Sequence, residues 1–170
     1  MNTPKKFNIS VFKDNRGSFI PIKLNEDWLQ SNLSINDNLY TWRGLHFQVG
    51  PKRQSKFVSV IKGKIIDIIV GLTGDDLGKV EVYELNEGEG LFVPKGYAHG
   101  FLTLQSGTIV NYFVDEDYSK EHEVSVLWSS IPEVKSTVLS VIGNKNLVIS
   151  DKDETAITFN EFLNNDGIRP

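Results

Sequence analysis

An arginine, a histidine and a glutamine lie close together in a segment otherwise rich in β-forming residues, Thr41-Trp-Arg-Gly-Leu-His-Phe-Gln48. His46 and Gln48 are two residues apart, so they point to the same face if the segment is a strand. An imidazole titrates near neutral pH and can move a proton, and the guanidinium of Arg43 is a planar fork suited to a phosphate. Core packing alone does not explain so many hydrogen-bonding side chains close together. The segment therefore predicts a functional site.

A lysine and an aspartate further along the chain are candidate charged groups of the same site. Lys56 offers a compact positive charge suited to a developing oxyanion. Asp67 interrupts the apolar run Lys64-Ile-Ile-Asp-Ile-Ile-Val70, which is typical of a strand covered on both sides. A buried carboxylate needs a partner, and Lys56 is a candidate if the two strands form a hairpin that turns at Lys62-Gly63. Asp67 is then either half of a structural ion pair or the group that positions a lysine or a histidine in a pocket.

His99 follows a proline–glycine turn, Pro94-Lys-Gly-Tyr-Ala, that leads into a strand. This pattern resembles the second motif of the cupin superfamily, Pro-x-Gly-x-x-His. Metal-binding cupins carry His-x-His in the first motif, whereas the comparable segment here reads His46-Phe47-Gln48. Two histidines and a glutamine make a poor site for iron, manganese or zinc, so we predict no metal.

Two tyrosines and one acidic cluster are weaker candidates. Tyr112 and Tyr118 are six residues apart, which places them on one face if the strand continues that far. Such tyrosines usually pack, but a phenol can also protonate a carbanion or stack on a base or sugar ring. The segment Asp151-Lys-Asp153 predicts, from local sequence alone, an exposed charge cluster.

Short runs of β-branched and aromatic residues, separated by turn residues, fill the first two thirds of the chain. The predicted strands cover residues 7–12, 18–23, 39–42, 45–49, 56–61, 64–72, 79–85, 90–93, 100–104 and 108–114. Many strands with tight turns predict an all-β barrel or sandwich of the jelly-roll kind. Short helices are predicted over 26–31, with Asn25 as the cap, and over 132–141 and 160–164. We expect a single domain, with a barrel core over roughly 7–128 and a C-terminal segment, 129–170, packed outside it.

Composition narrows the class of protein. The chain has 170 residues, enough for one domain with a real core. Its net charge of −4 and pI near 5.4 argue against a nucleic-acid partner, although local basic residues can hold a small phosphorylated ligand. Cysteine is absent, which excludes disulfides, thiolate metal sites and a cysteine nucleophile. Without an apolar signal segment or a run of about 18 apolar residues, we expect a cytoplasmic protein with no membrane partner.

In their order and spacing along the chain, these sequence motifs resemble those of the dTDP-4-dehydrorhamnose 3,5-epimerase family of nucleotide-sugar enzymes. The similarity runs from about Asp14 to Asp153. The segments that carry it are Asp14-Asn-Arg-Gly17, Gln30-Ser-Asn-Leu-Ser34, Arg43-Gly-Leu-His-Phe-Gln48, Gln54-Ser-Lys56, Gly63-Lys-Ile-Ile-Asp67, 94–101, 112–119 and Ser150-Asp-Lys-Asp153. The resemblance implies a jelly-roll cupin without a metal or other cofactor, usually a homodimer. It also implies inversion of C3, C5 or both in a dTDP-linked 4-keto-6-deoxyhexose, in L-rhamnose biosynthesis.

The resemblance further implies roles for individual residues. His46 is the base that removes a proton next to the 4-keto group, and Asp153 pairs with it. Lys56 stabilises the enolate oxygen, and Tyr112 returns a proton from the opposite face. The implied substrate-binding residues are Arg16, Gln30, Asn32, Arg43, His99, Glu123 and Lys152, with Tyr118 stacking on thymine. Gln48 and Asp67 complete the predicted substrate-binding set.

Three positions depart from the family pattern. Phe19-Ile20-Pro21 stands where a glutamate is common, Gly71 replaces the second aspartate of Asp-x-x-Val-Asp, and Phe113 replaces a frequent lysine. We expect these departures to affect specificity more than the core chemistry. Two other functions stay open on the sequence: a cupin that binds a nucleotide sugar without turning it over, and a metal-dependent cupin that uses His46, Gln48 and His99.

Overall fold

The computed structural model describes residues 3–8, 12–14, 17–19 and 28–168. Within these ranges most of the regular structure is β-strand, followed by short α-helices. The strands, in chain order, are β1 Lys5–Asn8, β2 Phe12–Asp14, β3 Gly17–Phe19, β4 Gln30–Asn36, β5 Trp42–Gln48, β6 Lys56–Lys62, β7 Lys64–Gly71, β8 Val80–Asn86, β9 Glu89–Val93, β10 Tyr97–Thr103, β11 Thr108–Val114 and β12 Glu123–Ser125. The helices are α1 Pro132–Ile142, α2 Asp151–Glu154 and α3 Phe159–Leu163. No helix in the described part of the chain has the length and apolar character needed to cross a bilayer.

Ten of these strands form two antiparallel sheets of five strands each. The first sheet has the order β1-β9-β6-β11-β4, and the second has the order β12-β5-β10-β7-β8. β2 and β3 form a separate two-stranded sheet. The prediction of an all-β sandwich with a few short helices is confirmed.

The second sheet is covered on both faces. On the face toward the first sheet, Ile65 and Ile69 pack with Val58 of β6 in one buried cluster. On the other face, Ile66 and Ile68 belong to a second cluster that includes residues of α1 and α3. This arrangement explains why the run along β7 is apolar at nearly every position.

α1 and α3 pack on the outer face of the second sheet. α1 starts at Pro132, buries Val134, Val138 and Ile142 at helical spacing, and ends at Ile142, with Gly143 (φ of 57°) as its C-cap. The predicted helices over 132–141 and 160–164 are therefore confirmed as α1 and α3. The division into a barrel core over 7–128 and an outer segment over 129–170 stays a prediction.

One connection differs from the sequence expectation. β6 and β7 are not a hairpin, because β6 lies in the first sheet and β7 lies in the second. The turn at Lys62-Gly63 carries the chain between the sheets. Gly63 has φ of +86°, and a Cβ there would lie 2.4 Å from Thr108 Oγ1, so only glycine fits this tight crossing.

Other boundaries also differ. The predicted helix over 26–31 is wrong where the structure describes it, because Gln30 and Ser31 begin β4. The predicted strand over 39–42 is also wrong, since Tyr40 has φ of 57° and β5 begins only at Trp42. β4, β12 and α2 were not predicted. The rest of the predicted strand over 18–23, and residues 9–11 of the predicted strand over 7–12, lie outside the described residues.

Candidate active site

A cavity of about 250 Å³ lies where the two sheets and α2 meet. Its lining is dominated by polar and charged side chains. The residues that line it are Arg43, His46, Lys56, His99, Phe101, Tyr112, Ser150, Lys152 and Asp153. Seven of the predicted site residues are in this set, whereas Phe101 and Ser150 were not predicted as site residues.

His46 and Asp153 form a close hydrogen-bonded pair in the cavity. His46 Nε2 lies 2.6 Å from Asp153 Oδ1, and Asp153 Oδ2 accepts a hydrogen bond from the Gly44 N–H at 3.3 Å. Burial opposes ionisation of Asp153, but the hydrogen bond and charge of His46 outweigh it, so the pKa of this carboxyl lies below its ordinary value. The pair therefore consists of a carboxylate that orients an imidazole.

The local prediction of an exposed cluster at 151–153 holds for Asp151 and Lys152 but is wrong for Asp153, which is buried. The reason is the single turn of α2. Ser150 caps this turn by accepting a hydrogen bond from the Asp153 N–H, which leaves the Asp153 side chain facing β5. A serine three residues before an acidic residue is a helix-start signal, and it could have indicated this turn.

Close packing of β5 against β10 fixes the direction of the His46 side chain. His46 is paired with His99 across the two strands. A Cβ on Gly44 would lie 2.4 Å from Gly100 Cα, and a Cβ on Gly100 would lie 2.8 Å from the Arg43 carbonyl oxygen. Glycine at both positions lets the two backbones approach beside the site.

Lys56 brings a buried ammonium group into the cavity from the first sheet. Its Nζ donates a hydrogen bond to the His46 carbonyl oxygen at 3.3 Å. Burial lowers the pKa of Lys56 to about 8, and the negative charges of Glu123 and Asp67 limit this decrease. The group is therefore a cation at neutral pH, close to the proposed base.

Asp67 has His99, and not Lys56, as its ion-pair partner. Asp67 Oδ1 lies 2.8 Å from His99 Nε2, and both side chains are buried. The two atoms are within ion-pair distance but are poorly aligned, so neither oxygen of Asp67 accepts a hydrogen bond from any described residue. The predicted pairing with Lys56 is wrong because β6 and β7 belong to different sheets. Asp67 instead lies behind a histidine that lines the cavity.

Tyr112 faces the cavity from β11. Burial raises the pKa of its phenol; the charge of Arg43 opposes this shift and that of Glu123 adds to it. The phenol is therefore protonated at neutral pH and can act as a proton donor.

The rim of the site holds a polar network. Glu123 Oε2 accepts hydrogen bonds from Tyr118 Oη at 2.8 Å and is paired with Lys152 Nζ at 2.6 Å. Burial opposes ionisation of Glu123, but its hydrogen bonds with Lys152 and Tyr118 outweigh this effect and its pKa is lowered. Gln30 joins the network by accepting from the Tyr118 N–H at 3.2 Å and donating to Asn32 Oδ1 at 2.6 Å. Five predicted residues thus meet at this rim.

Tyr118 reaches the rim by a different route from the one expected. β11 ends at Val114, so Tyr118 lies in the loop that follows and does not share a strand face with Tyr112. Its side chain is 53% exposed. An exposed ring beside this polar rim is available to stack on a planar ligand group.

Gln48 does not line the cavity. Its Nε2 donates to the carbonyl oxygens of Lys52 and Asp117 at 2.6 and 3.1 Å, and its Oε1 accepts from the Ser119 N–H at 2.6 Å. The buried amide thus ties two loops together. His46, Gln48 and His99 do not converge as metal ligands would, and in the described ranges no group of three or more His, Cys, Asp or Glu side chains is arranged to hold a metal ion. Arg16 lies outside the described residues.

A wider depression of about 620 Å³ lies beside β12 and α3. Its lining is mostly apolar and amide groups. Those residues are Glu123, Val124, Ser125, Ile157, Glu161, Asn164, Asn165 and Ile168. Among its described lining residues there is neither a histidine nor a basic residue. The smaller cavity, by contrast, holds His46, Lys56 and Tyr112, which are groups that proton transfer can use.

Comparison with known protein families matches residues 4–161 to the family described as dTDP-4-dehydrorhamnose 3,5-epimerase. The chain belongs to the dTDP-4-dehydrorhamnose 3,5-epimerase family. A family member from Sinorhizobium fredii is 35% identical over 139 residues, which cover 74% of this chain and 68% of the relative. The resemblance seen in the sequence is confirmed, and the chain is a carbohydrate epimerase of dTDP-sugar and rhamnose biosynthesis.

Solved structures of the family agree in fold. The dTDP-4-dehydrorhamnose 3,5-epimerase from Bacillus anthracis, solved with TDP and PPi bound, is 34% identical with a TM-score of 0.75, covering 91% of this chain and 93% of its own. The Legionella pneumophila dTDP-6-deoxy-D-glucose-3,5-epimerase, solved with dTDP-4-keto-L-rhamnose, is 25% identical with a TM-score of 0.76, covering 94% and 92%. The described sheets are therefore those of the cupin fold of this family.

One departure from the epimerase pattern has a structural cause. A Cβ on Gly71 would lie 1.9 Å from the Asp76 carbonyl oxygen, so no side chain fits there. The loop that occupies this space is also bonded to β10, because Asp76 Oδ2 accepts a hydrogen bond from Tyr97 Oη at 2.6 Å. Pro21 and Ile20, at another departure, lie outside the described residues.

Proposed function

We propose that the cavity epimerises a dTDP-linked 4-keto-6-deoxyhexose by removing a proton α to the ketone and returning one from the opposite face. The observation that carries this mechanism is the His46–Asp153 pair at 2.6 Å in the same cavity as a buried lysine and a half-buried tyrosine. A hydrogen next to a ketone is a weak acid, so its removal needs a base, a group that stabilises the enolate, and an acid. His46, Lys56 and Tyr112 supply one of each.

The bond to Asp153 selects the reactive nitrogen of His46. A carboxylate is an acceptor only, so Nε2 carries the hydrogen that it receives. The neutral imidazole then has its lone pair on Nδ1, and this atom is the base that takes the substrate proton. The negative charge of Asp153 stabilises the imidazolium that forms.

Lys56 and Tyr112 complete the reaction. The Lys56 ammonium stabilises the negative charge that develops on the 4-keto oxygen, and preorganised charge of this kind typically lowers the barrier by about 3 kcal/mol. Tyr112 keeps its proton at neutral pH because its pKa is raised, so it can deliver that proton to the enolate carbon. Delivery by a group other than the base is what inversion requires.

The rim groups are proposed to bind the nucleotide part of the substrate. Arg43 and Lys152 offer positive charge for the diphosphate, together with Arg16 by family resemblance. Tyr118 stacks on the base, and Glu123 holds Tyr118 and Lys152 in place. Gln30 and Asn32 contribute polar groups beside them. Gln48 acts by holding two loops and does not contact the substrate.

We also propose a homodimer, formed through the outer face of the first sheet. Along β4 the usual alternation is inverted, since Ser34 and Asn36 are buried while Leu33 and Ile35 are 61% and 58% exposed. Ile35 is paired with Ile109 of β11, which extends the apolar surface across two strands. An exposed sheet face of this kind is typical of a protein–protein interface. The cytoplasmic location also stays a prediction of the sequence.

Hydrogen exchange tests the proposed reaction. Incubation with dTDP-4-keto-6-deoxyglucose in deuterated water should exchange the hydrogen at C3, C5 or both, and the rate should be unchanged by a chelator. Exchange at one carbon only would assign a single inversion. Strong binding of dTDP without any exchange would contradict the proposal and favour a binding protein.

A further inference from the structure

A buried asparagine holds the arginine at the mouth of the site. Asn36, at the end of β4, is only 2% exposed. A buried amide has to satisfy its hydrogen-bonding groups within the protein. Its Oδ1 accepts a hydrogen bond from Arg43 Nε at 2.8 Å. This contact joins the first sheet to β5 of the second sheet.

The backbone sets the orientation of the Asn36 amide. Its Nδ2 donates to the carbonyl oxygens of Thr108 at 3.1 Å and Ser34 at 3.3 Å. Both partners are acceptors, so the NH₂ group faces them and the oxygen must face Arg43. The hydroxyl of Ser34 also donates to Oδ1 at 3.3 Å. Asn36 is therefore an acceptor that is fixed in space before a ligand arrives.

This contact leaves most of the Arg43 guanidinium available. Nε is the donor nearest the side-chain stem, and the two Nη groups make no hydrogen bond with any described residue. An exposed arginine ordinarily samples many rotamers, and binding a ligand then costs the entropy of ordering it. Holding Nε removes part of this cost and directs the Nη groups outward.

The neutrality of Asn36 matters as well. An aspartate at this position would neutralise the guanidinium and would lose the donors that bond to Thr108 and Ser34. An asparagine orients the cation and leaves its full charge for an anionic ligand. The guanidinium lines the same cavity as Tyr112, and its charge opposes the rise in the pKa of that phenol, so it lies next to the reacting groups.

We infer that Asn36 is a positioning residue for the diphosphate: it holds Arg43 Nε so that the two Nη groups form a preorganised fork for the phosphate oxygens. This inference rests on the proposed function, in which Arg43 binds the diphosphate of the nucleotide sugar. It gives β4 a second part in substrate recognition, in addition to the polar groups of Gln30 and Asn32.

The test is a double-mutant cycle on dTDP binding, measured by titration calorimetry at fixed ionic strength. Asn36→Ala should weaken dTDP binding roughly tenfold, as expected for the loss of one ordered charge-assisted contact. In an Arg43→Ala background the same change should have no further effect, because the group it positions is absent. Asn160→Ala, an exposed asparagine on α3, is the matched control and should bind dTDP like the wild type.

Kinetics separate positioning from a merely structural role. Over a range of substrate concentrations, Asn36→Ala should raise KM and leave kcat within about twofold, because the base and acid are untouched. If Asn36→Ala does not fold, Asn36→Ser replaces it, since the shorter side chain does not reach Nε. Unchanged dTDP affinity in the folded variant, or equal losses with and without Arg43, would overturn the inference. If Arg43→Ala itself leaves dTDP binding unchanged, the proposed diphosphate role of Arg43 fails instead, and the inference fails with it.

Discussion

The Lys56 ammonium lies buried in the cavity, and its pKa is lowered to about 8 because the protein solvates the charge less well than water does. The unfolded chain therefore binds this proton more tightly than the folded chain. At pH 7 the lysine is charged in both states, so the full cost of burial is present. Between about pH 8 and the ordinary value of 10.5 the folded state gives up the proton first, and the cost declines as pH rises.

We predict that Lys56→Met stabilises the protein while it removes activity. The free energy of unfolding at pH 7 should rise by roughly 1–3 kcal/mol, because an apolar side chain replaces a buried charge. This advantage should decrease toward pH 10. Chemical denaturation at both pH values measures the effect, with Lys120→Met on the exposed surface as the control. A variant less stable than the wild type at pH 7 would show that the buried charge is not costly.

Asp153 is expected to act by selecting the tautomer of His46. In Asp153→Asn the amide can donate to Nε2, which moves the imidazole hydrogen to Nδ1 and removes the proposed base. The rate of hydrogen exchange should fall by roughly 10²–10⁴-fold with dTDP binding retained. Exchange kinetics and dTDP titration measure the two effects, and Asp151→Asn on the exposed side of α2 is the matched control. Equal rates in the two variants would contradict this role.

At the scale of elements, the close approach of the β5 and β10 backbones at Gly44 and Gly100 positions His46. We predict that Gly44→Ala destabilises the protein by roughly 3 kcal/mol or more, because the new Cβ overlaps the Gly100 backbone beside His46. Gly107→Ala is the control, since Gly107 also has positive φ but has open space around it. The control should lose only about 1 kcal/mol, from backbone strain. Thermal denaturation of both variants measures the difference, and similar losses would refute a steric role for the close approach.

The sequence predicted the elements whose pattern is local. Runs of β-branched residues identify β6, β7 and β11 closely, and the helix predicted over 132–141 differs from α1 by one residue. β4 was missed because Gln30-Ser-Asn-Leu-Ser-Ile-Asn36 is mostly polar. Its polar residues Ser34 and Asn36 are buried, whereas its apolar residues Leu33 and Ile35 are exposed. Local patterns do not encode which residues face a second sheet or a second subunit.

The sequence predicted which residues belong to the site better than it predicted the contacts between them. Family resemblance identified seven of the nine residues that line the cavity, including Asp153, which local sequence places on the surface. For Asp67 the sequence left open a pair with Lys56 or a role in positioning a lysine or a histidine. The pair with Lys56 is wrong, because the turn at Gly63 joins two sheets and does not form a hairpin, whereas Asp67 does lie beside a histidine, His99. Asn36 gave no signal, since a polar residue next to a loop is unremarkable until its burial is known.

For the whole molecule, the exposed face of β4 predicts assembly. Ile35→Glu should convert the proposed dimer into a monomer, because a charge in the centre of an apolar interface has no partner. Analytical ultracentrifugation of the wild type and the variant measures this. Val82→Glu, on the edge strand of the other sheet and 43% exposed, is the control and should stay dimeric. A wild type that sediments as a monomer would remove the basis for the proposed interface.

The central claim is that His46 takes the substrate proton and Tyr112 returns one from the other face. The most direct measurement compares His46→Asn and Tyr112→Phe in deuterated water with dTDP-4-keto-6-deoxyglucose, following both deuterium uptake and the configuration of the sugar. We expect no uptake in His46→Asn, and uptake without inversion in Tyr112→Phe, with dTDP binding retained in both. Wild-type uptake by His46→Asn would contradict the account.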